Sequence, residues 1–138
     1  MTENAKVSGL ETAARIERRE MDDLRGQIAA LEQRMEINAQ EQTRAADRLE
    51  VELRVASELP HLDTAAFAAA QRQRLGALEH QRGELEAAVD ALRDKMLDSF
   101  AAVTPLEKAI EASVLLERID AHKRAQGALD EVAGRMAG

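Results

Sequence analysis

Apolar residues recur at alternating spacings of three and four along two long stretches of this 138-residue chain, and a short segment around Pro60 separates the stretches. This spacing places the apolar side chains on one face of an α-helix and is typical of a coiled-coil seam. Pro60 has no amide hydrogen and disfavours helical geometry in the residue before it. The sequence therefore predicts an all-α fold in which two long helices form an antiparallel coiled-coil hairpin.

We predict one elongated unit over residues 1–138, with a first helix over about 5–58, a turn over 59–62 and a second helix over about 63–136. Asp63 is suited to cap the second helix, because its carboxylate accepts hydrogen bonds from otherwise unpaired amides.

The second helix is longer than the first. We therefore expect the chain past Leu116 to project beyond the first helix and to form a docking site for another protein, or else to fray.

Polar residues interrupt the seam of the first helix. Glu17, Asn38, Gln42 and Glu52 fall at seam positions, and we expect such residues to fix the register at some cost in stability. Near the turn we expect Leu53 to replace Glu52 on the seam. The apolar seam positions of this helix are Val7, Leu10, Ala14, Met21, Leu24, Ile28, Leu31, Met35, Ala45, Leu49 and Ala56.

The second helix has a more regular seam, which only Arg82 and Ser99 interrupt before Ile110. Thr104 to Glu107 read as a capping box with Pro105 at the first helical position. The pattern passes through Pro105 without a slip, which favours a continuous helix kinked at Pro105 over a break that would give three helices. The apolar seam positions are Leu75, Leu78, Leu85, Val89, Leu92, Met96, Val103, Leu106 and Ile110.

Composition argues against several classes of function. A net charge of −7 disfavours nucleic acid as a partner, and the cluster of Arg15, Arg18 and Arg19 is interleaved with glutamates, as on a solvated helix face. The chain contains no cysteine, no apolar signal segment and no stretch long enough to span a bilayer, so we expect a cytoplasmic protein.

Enzymatic and metal-binding functions are not expected either. His80 and His122 fall at outward positions of the second helix, and His61 lies in the turn. No glycine-rich phosphate loop occurs, and two helices cannot enclose a catalytic group away from water. We therefore expect no cofactor, no metal and no small-molecule substrate, and we place the function in contacts with other proteins.

Four short motifs resemble the flagellar type III export protein family FliJ. They are Leu10-Glu11-Thr12 followed by Ile16 and Arg19-Glu20-Met21-Asp22-Asp23, then Phe67 just after the turn, Leu116-Glu117-Arg118, and Leu129-Asp130-Glu131-Val132-Ala133-Gly134-Arg135 near the end. The resemblance covers nearly the whole chain. The chain departs from the family's pattern at Gln71, where the family often has a large apolar residue, and at Pro105.

The resemblance implies a non-enzymatic stalk that couples the hexameric export ATPase to the export gate protein and the substrate chaperones. The stalk would lie in the cytoplasm and reach the inner face of the cytoplasmic membrane only through its partners. Phe67 would serve the gate and chaperone side. The residues implied at the ATPase end are Leu10, Arg15, Arg18, Arg19, Leu116, Glu117, Arg118, Asp130 and Glu131.

Two alternatives share this fold. One is a structural cytoplasmic coiled coil that dimerises through the projecting end of its second helix. The other is a stalk or chaperone of an injectisome. The flagellar and injectisome readings differ in partner and not in architecture, whereas the structural reading predicts a stable dimer in solution.

Overall fold

A computed structural model describes the backbone of residues 2–61 and 63–137 and the side chains of residues 5–61 and 63–137. It contains two α-helices, α1 over Thr2–Glu58 and α2 over Ala65–Ala137, of 57 and 73 residues. No strand occurs in the described ranges. The predicted all-α class with two long helices is confirmed. Met1, Leu62 and Gly138 lie outside the described residues, so only positions 59–61 of the predicted turn are described.

Local hydrogen bonds explain where the helices end and begin. The amide of Leu59 still donates to the carbonyl of Val55 at 2.8 Å, and Pro60, which has no amide hydrogen, follows directly. On the other side of the turn, the amide of Ala65 donates to Oδ1 of Asp63 at 3.2 Å, which confirms the predicted capping role of Asp63.

The chain divides into two compact units. One consists of Asp23–Lys95, which includes the turn. In it, contacts join Glu32 to Arg93 and Glu41 to Arg74, so α2 runs antiparallel to α1. The other unit combines the chain up to Asp22 with the chain from Met96 onward, where Arg18 contacts Glu107.

The core of each unit is a narrow seam, as the spacing predicts. In the unit that contains the turn, the nearly inaccessible apolar residues are Leu24, Ala45, Ala68, Leu78, Leu85 and Val89. In the other unit they are Ala14, Met21 and Val103, together with the buried hydroxyl residues Ser99 and Ser113. Every seam position of α2 from Ala68 to Glu117 is buried or half-buried, and Asp120 is the first that is exposed.

The expectation that Leu53 replaces Glu52 on the seam is wrong. Leu53 is 47% exposed, whereas Glu52 is half-buried and the original register continues to Ala56. The helix keeps one register because a shift by one residue would rotate every later seam position by about 100°. The methylene groups of a glutamate can cover apolar surface while its carboxylate stays in water.

The continuous second helix that the pattern favours is confirmed, because α2 runs through Pro105 without interruption and no helix restarts at Thr104. The hydroxyl of Thr104 donates to the carbonyl of Phe100 at 3.1 Å, and Glu107 pairs with Arg18 on the other helix. The sequence therefore folds into two helices, and the alternative with a third helix is excluded.

Candidate protein-docking surfaces

On α1, the residues predicted for the ATPase end are divided between the seam and the solvent. Leu10 is half-buried on the seam, whereas Arg15 and Arg19 are exposed. Both Nε and Nη2 of Arg18 donate to Oε1 of Glu107, at 3.2 and 2.8 Å. Arg18 therefore joins α1 to α2 within its unit, and Arg15 and Arg19 are the cations of this cluster that extend into solvent.

On α2, the predicted motif at residues 116–118 lies where packing against α1 ends. Glu117 is half-buried at the last covered seam position, Leu116 is 55% exposed, and Arg118 is exposed. Arg18 lies opposite Glu107, and the two helices run antiparallel. Leu10, eight residues before Arg18 on α1, therefore lies at the level of about residue 115 on α2. Leu10 and this motif thus lie at the same end of the packed seam.

Residues 118–137 form the distal segment, in which every side chain is exposed. Asp130 and Glu131 lie in its second half. Glu117, the last covered residue, is thirteen residues before Asp130, a distance of about 20 Å along a helix. The structure therefore does not bring this acidic pair together with the arginines of α1; the predicted end consists of a packed base and a separate projecting helix.

Large apolar side chains of the distal segment are left without cover from the described chain. Ile119, Leu129, Val132 and Met136 are 41%, 64%, 50% and 83% exposed. The sequence motifs include Leu129 and Val132 but give a role only to the acidic pair. The 3,4 spacing that located the seam could have found Ile119, Leu129 and Met136, because they lie on a second stripe of the same helix.

Phe67 lies near the start of α2, in the unit that contains the turn, and is 48% exposed. It lines a shallow groove of about 330 Å³ together with Asp47, Arg48, Val51 and Glu52 of α1. Val51 is 52% exposed, so the groove has an apolar floor with charged residues around it. This arrangement can receive one apolar side chain of a partner, which fits the role expected for Phe67.

The described residues contain no group of three or more histidine, cysteine or acidic side chains that could hold a metal ion. Grooves along the helix pair, such as the one lined by Glu32, Met35 and Val89, are shallow and open to solvent. In the described part of the chain, neither helix is apolar enough over a sufficient length to cross a membrane.

Comparison of the chain with protein-family models, with curated proteins and with solved structures finds no match. The fold defines a class, a two-helix coiled-coil protein, and its exposed side chains form the candidate surfaces described above. The choice of a function within this class depends on the residues themselves.

Proposed function

We propose that the protein is a non-enzymatic, cytoplasmic component of the flagellar type III export apparatus. In this role it is a coiled-coil stalk of the FliJ type. One end of the helix pair binds the hexameric export ATPase, and the rest of the chain contacts the export gate protein and substrate chaperones. It requires no cofactor and reaches the membrane only through these partners.

The observation that carries the proposal is the coincidence of a motif with an uncovered helix. The closing motif from Leu129 to Arg135 and the motif at 116–118 resemble the family; the first lies where α2 has no cover from α1, and the second lies where that cover ends. A helix that exposes apolar and charged side chains in solution is suited to insertion into a groove or ring of a partner. The resemblance and the exposed surface are independent, since the exposure follows from the fold alone.

Charge supports the same division of surfaces. Arg118 is an exposed cation at the base of the distal segment, and Arg15 and Arg19 are exposed cations on the packed helices before it. Asp130 and Glu131 add negative charge about 20 Å beyond the base. Charged rims of this kind fix the orientation of a docked helix and speed its association. The groove at Phe67 belongs to the other compact unit, which leaves it available for the gate or a chaperone.

The test is binding of the purified full-length chain to the export ATPase of the same organism. Truncation from Leu116 onward is expected to abolish binding, and circular dichroism checks that the remaining helices fold. Retained binding by the truncated chain would remove the distal segment from the interface. Failure of the full-length chain to bind any flagellar export component would refute the proposed function.

A matched pair of charge variants refines the test. Replacing Asp130 and Glu131 by lysine is expected to weaken binding at least tenfold, if the pair lies in the interface. Replacing Asp94 and Asp98 by lysine changes the net charge by the same amount on the same helix, also at exposed positions, and should leave the affinity unchanged. Equal effects of the two variants would indicate a nonspecific effect of charge.

The injectisome alternative is tested with the same variants. Binding to an injectisome ATPase with no binding to its flagellar counterpart would assign the protein to an injectisome. The distal segment would remain the proposed ATPase-binding surface. The Phe67→Ala variant distinguishes the two candidate surfaces. It should weaken binding to the gate protein or a chaperone, while the affinity for the ATPase is unchanged.

A further inference from the structure

A second stripe with 3,4 spacing runs along the exposed part of α2. It follows the seam pattern two residues later in the chain, which at about 100° per residue places it about 200° around the helix from the seam. The stripe therefore faces almost directly away from α1. We call it the distal stripe; its central members are Leu115, Ile119, His122, Gln126, Leu129 and Ala133.

All members of the distal stripe are exposed, including its large apolar side chains. Leu115 is 57% exposed, and Leu129 is 64% exposed. The stripe extends by one position at each end, to Ala112 and Met136. Toward the N-terminus it stops at Lys108. The stripe spans three and a half heptads, with two polar residues, His122 and Gln126, at its centre and apolar residues on both sides, and a partner helix could cover it.

The pattern is self-complementary when a second copy is laid beside it in the opposite direction. With the two-fold axis beside Arg124, Ile119 faces Leu129 of the second copy and His122 faces Gln126 of the second copy. Large residues meet small ones at the ends, where Leu115 faces Ala133 and Ala112 faces Met136. We propose that two copies of this chain associate antiparallel through the distal stripe.

Polar groups support this choice of partner and direction. In the antiparallel pair the imidazole of His122 and the amide of Gln126 share a layer, so each can satisfy the other by a hydrogen bond. At the flank of the stripe, Lys123 lies between Lys123 and Asp130 of the second copy, so the choice of direction depends on the layers of the stripe and not on this flank. The apolar layers contain no polar side chain from either copy.

A parallel pair fits less well. It would place His122 of one copy against His122 of the other, and it would leave a void where the two Ala133 side chains met. It would also bring Arg118 beside Lys123 of the second copy, a repulsion between like charges at the flanking positions. The same stripe thus distinguishes between the two directions, and only the antiparallel one pairs large side chains with small ones and His122 with Gln126.

The second copy meets no steric obstacle from α1. Because the distal stripe faces away from the seam, the end of the second copy passes along the free side of α2 near Leu115. The contact extends about 37 Å along the helices. Specific interfaces begin at about 1,200 Å² of buried surface, and a single pair of helices in contact over this length forms a small interface, so we expect a reversible dimer.

The dimer does not depend on the proposed function, but it has a consequence for that function. It covers the distal segment that would dock on the ATPase. The two associations therefore exclude each other, and dimerisation would hold free copies in a form that cannot dock. Dilution or an excess of the partner would release the segment.

Single-cysteine variants of the full chain test direction and register, because the natural chain has no cysteine to interfere. An equimolar mixture of Leu115→Cys and Ala133→Cys is expected to form a disulfide-linked dimer on mild oxidation. Either variant alone should not cross-link, since in the antiparallel pair the two copies of one position lie about 27 Å apart. Efficient cross-linking of each variant with itself would indicate a parallel pair and overturn the proposal.

Equilibrium sedimentation of the cysteine-free chain provides the second readout. We expect the mean mass to rise from that of a monomer toward that of a dimer with increasing concentration. Ile119→Asp should keep the chain monomeric, whereas Ala121→Asp, the same type of change on the outward face, should leave the dimer intact. A monomer at all concentrations, or equal loss of dimer in both variants, would overturn the proposal.

A variant that tightens the dimer complements the variants that weaken it, because misfolding could explain a loss of dimer but not a gain. Replacing His122 and Gln126 by leucine converts the two polar layers into apolar ones and should tighten the dimer at least tenfold. Circular dichroism at a concentration where all variants are monomeric should show equal helix content. No change in dimer affinity on this double replacement would contradict the placement of both residues in the interface.

Discussion

Asn38 of α1 is hydrogen-bonded to the backbone carbonyl of Leu78 of α2, with 2.9 Å between Nδ2 and the carbonyl oxygen. The same amide nitrogen donates to Oε1 of Gln81 at 3.0 Å, and Oδ1 accepts from Nε2 of Gln42. Asn38 is only 2% exposed, so its own amide is shielded from water, whereas Gln42 is half-buried and Gln81 is exposed. This network fixes one register of the two helices, because a slip along the seam would leave the buried amide without partners.

Asn38→Asp should destabilise the helix pair by about 3 kcal/mol, since it removes both donated hydrogen bonds and buries a carboxylate against a carbonyl oxygen. Asn38→Leu should cost far less, or stabilise the pair, at the expense of a unique register. Chemical denaturation gives both free energies of unfolding. Equal effects of the two variants would show that the network does not set the stability of this layer.

Leu85→Ala should lower the free energy of unfolding by about 2–4 kcal/mol. Leu85 is 5% exposed in the seam, and truncation there leaves a cavity that a two-helix core has few neighbours to fill. Leu97→Ala provides the matched control, because Leu97 is 66% exposed and its truncation should change stability by less than about 0.5 kcal/mol. If Leu97→Ala lowered the melting temperature more than Leu85→Ala, the placement of Leu85 in the seam would be contradicted.

Gln71→Leu should stabilise the protein by about 1 kcal/mol. Oε1 of Gln71 is buried and accepts no hydrogen bond from the part of the chain that the structure describes. Replacing it by an apolar group of similar size removes that desolvation cost. Gln73→Leu, at an exposed position two residues later, should have little effect on the melting temperature. An unstable Gln71→Leu variant would indicate that the amide has an important partner.

Pro105→Ala should stabilise α2 by about 1–3 kcal/mol. Proline lies inside the helix, where it has no amide to donate to the carbonyl four residues earlier and its ring crowds that carbonyl. Alanine restores the donor and has the highest helix propensity. Denaturation measures the gain, and an unchanged or lower midpoint would mean that the surrounding packing requires the proline.

The sequence was sufficient to locate the seam because the 3,4 pattern is a direct consequence of helix geometry. It predicted the seam position of Asn38, the cap at Asp63 and a loss of cover past Leu116, which the structure places one residue later, after Glu117. It failed at Glu52, where apolarity alone favoured Leu53. Burial at such positions is decided by the continuous register and by the aliphatic part of the side chain, neither of which is a property of the single residue.

The candidate surfaces were only partly predictable, for a related reason. Motifs identified Asp130 and Glu131 but not their separation from Arg15 and Arg19, which depends on where α1 ceases to cover α2. The groove of Phe67 includes Val51, a residue of the other helix that no local pattern links to it. Contacts between residues distant in sequence follow from the fold and not from spacing within one helix.

The distal segment also determines how this protein would melt. A helix that continues from an already formed one needs no new nucleus, so each turn opens or closes at small free-energy cost. Gly127 and Gly134 lower the propensity of its last turns further, and a methyl group added at Gly127 would meet no neighbouring atom. Amide hydrogen exchange should therefore quicken steadily toward the C-terminus. A protein that binds the distal segment should slow exchange at the amides it covers, so the exchange rate should change abruptly at the border of the bound region.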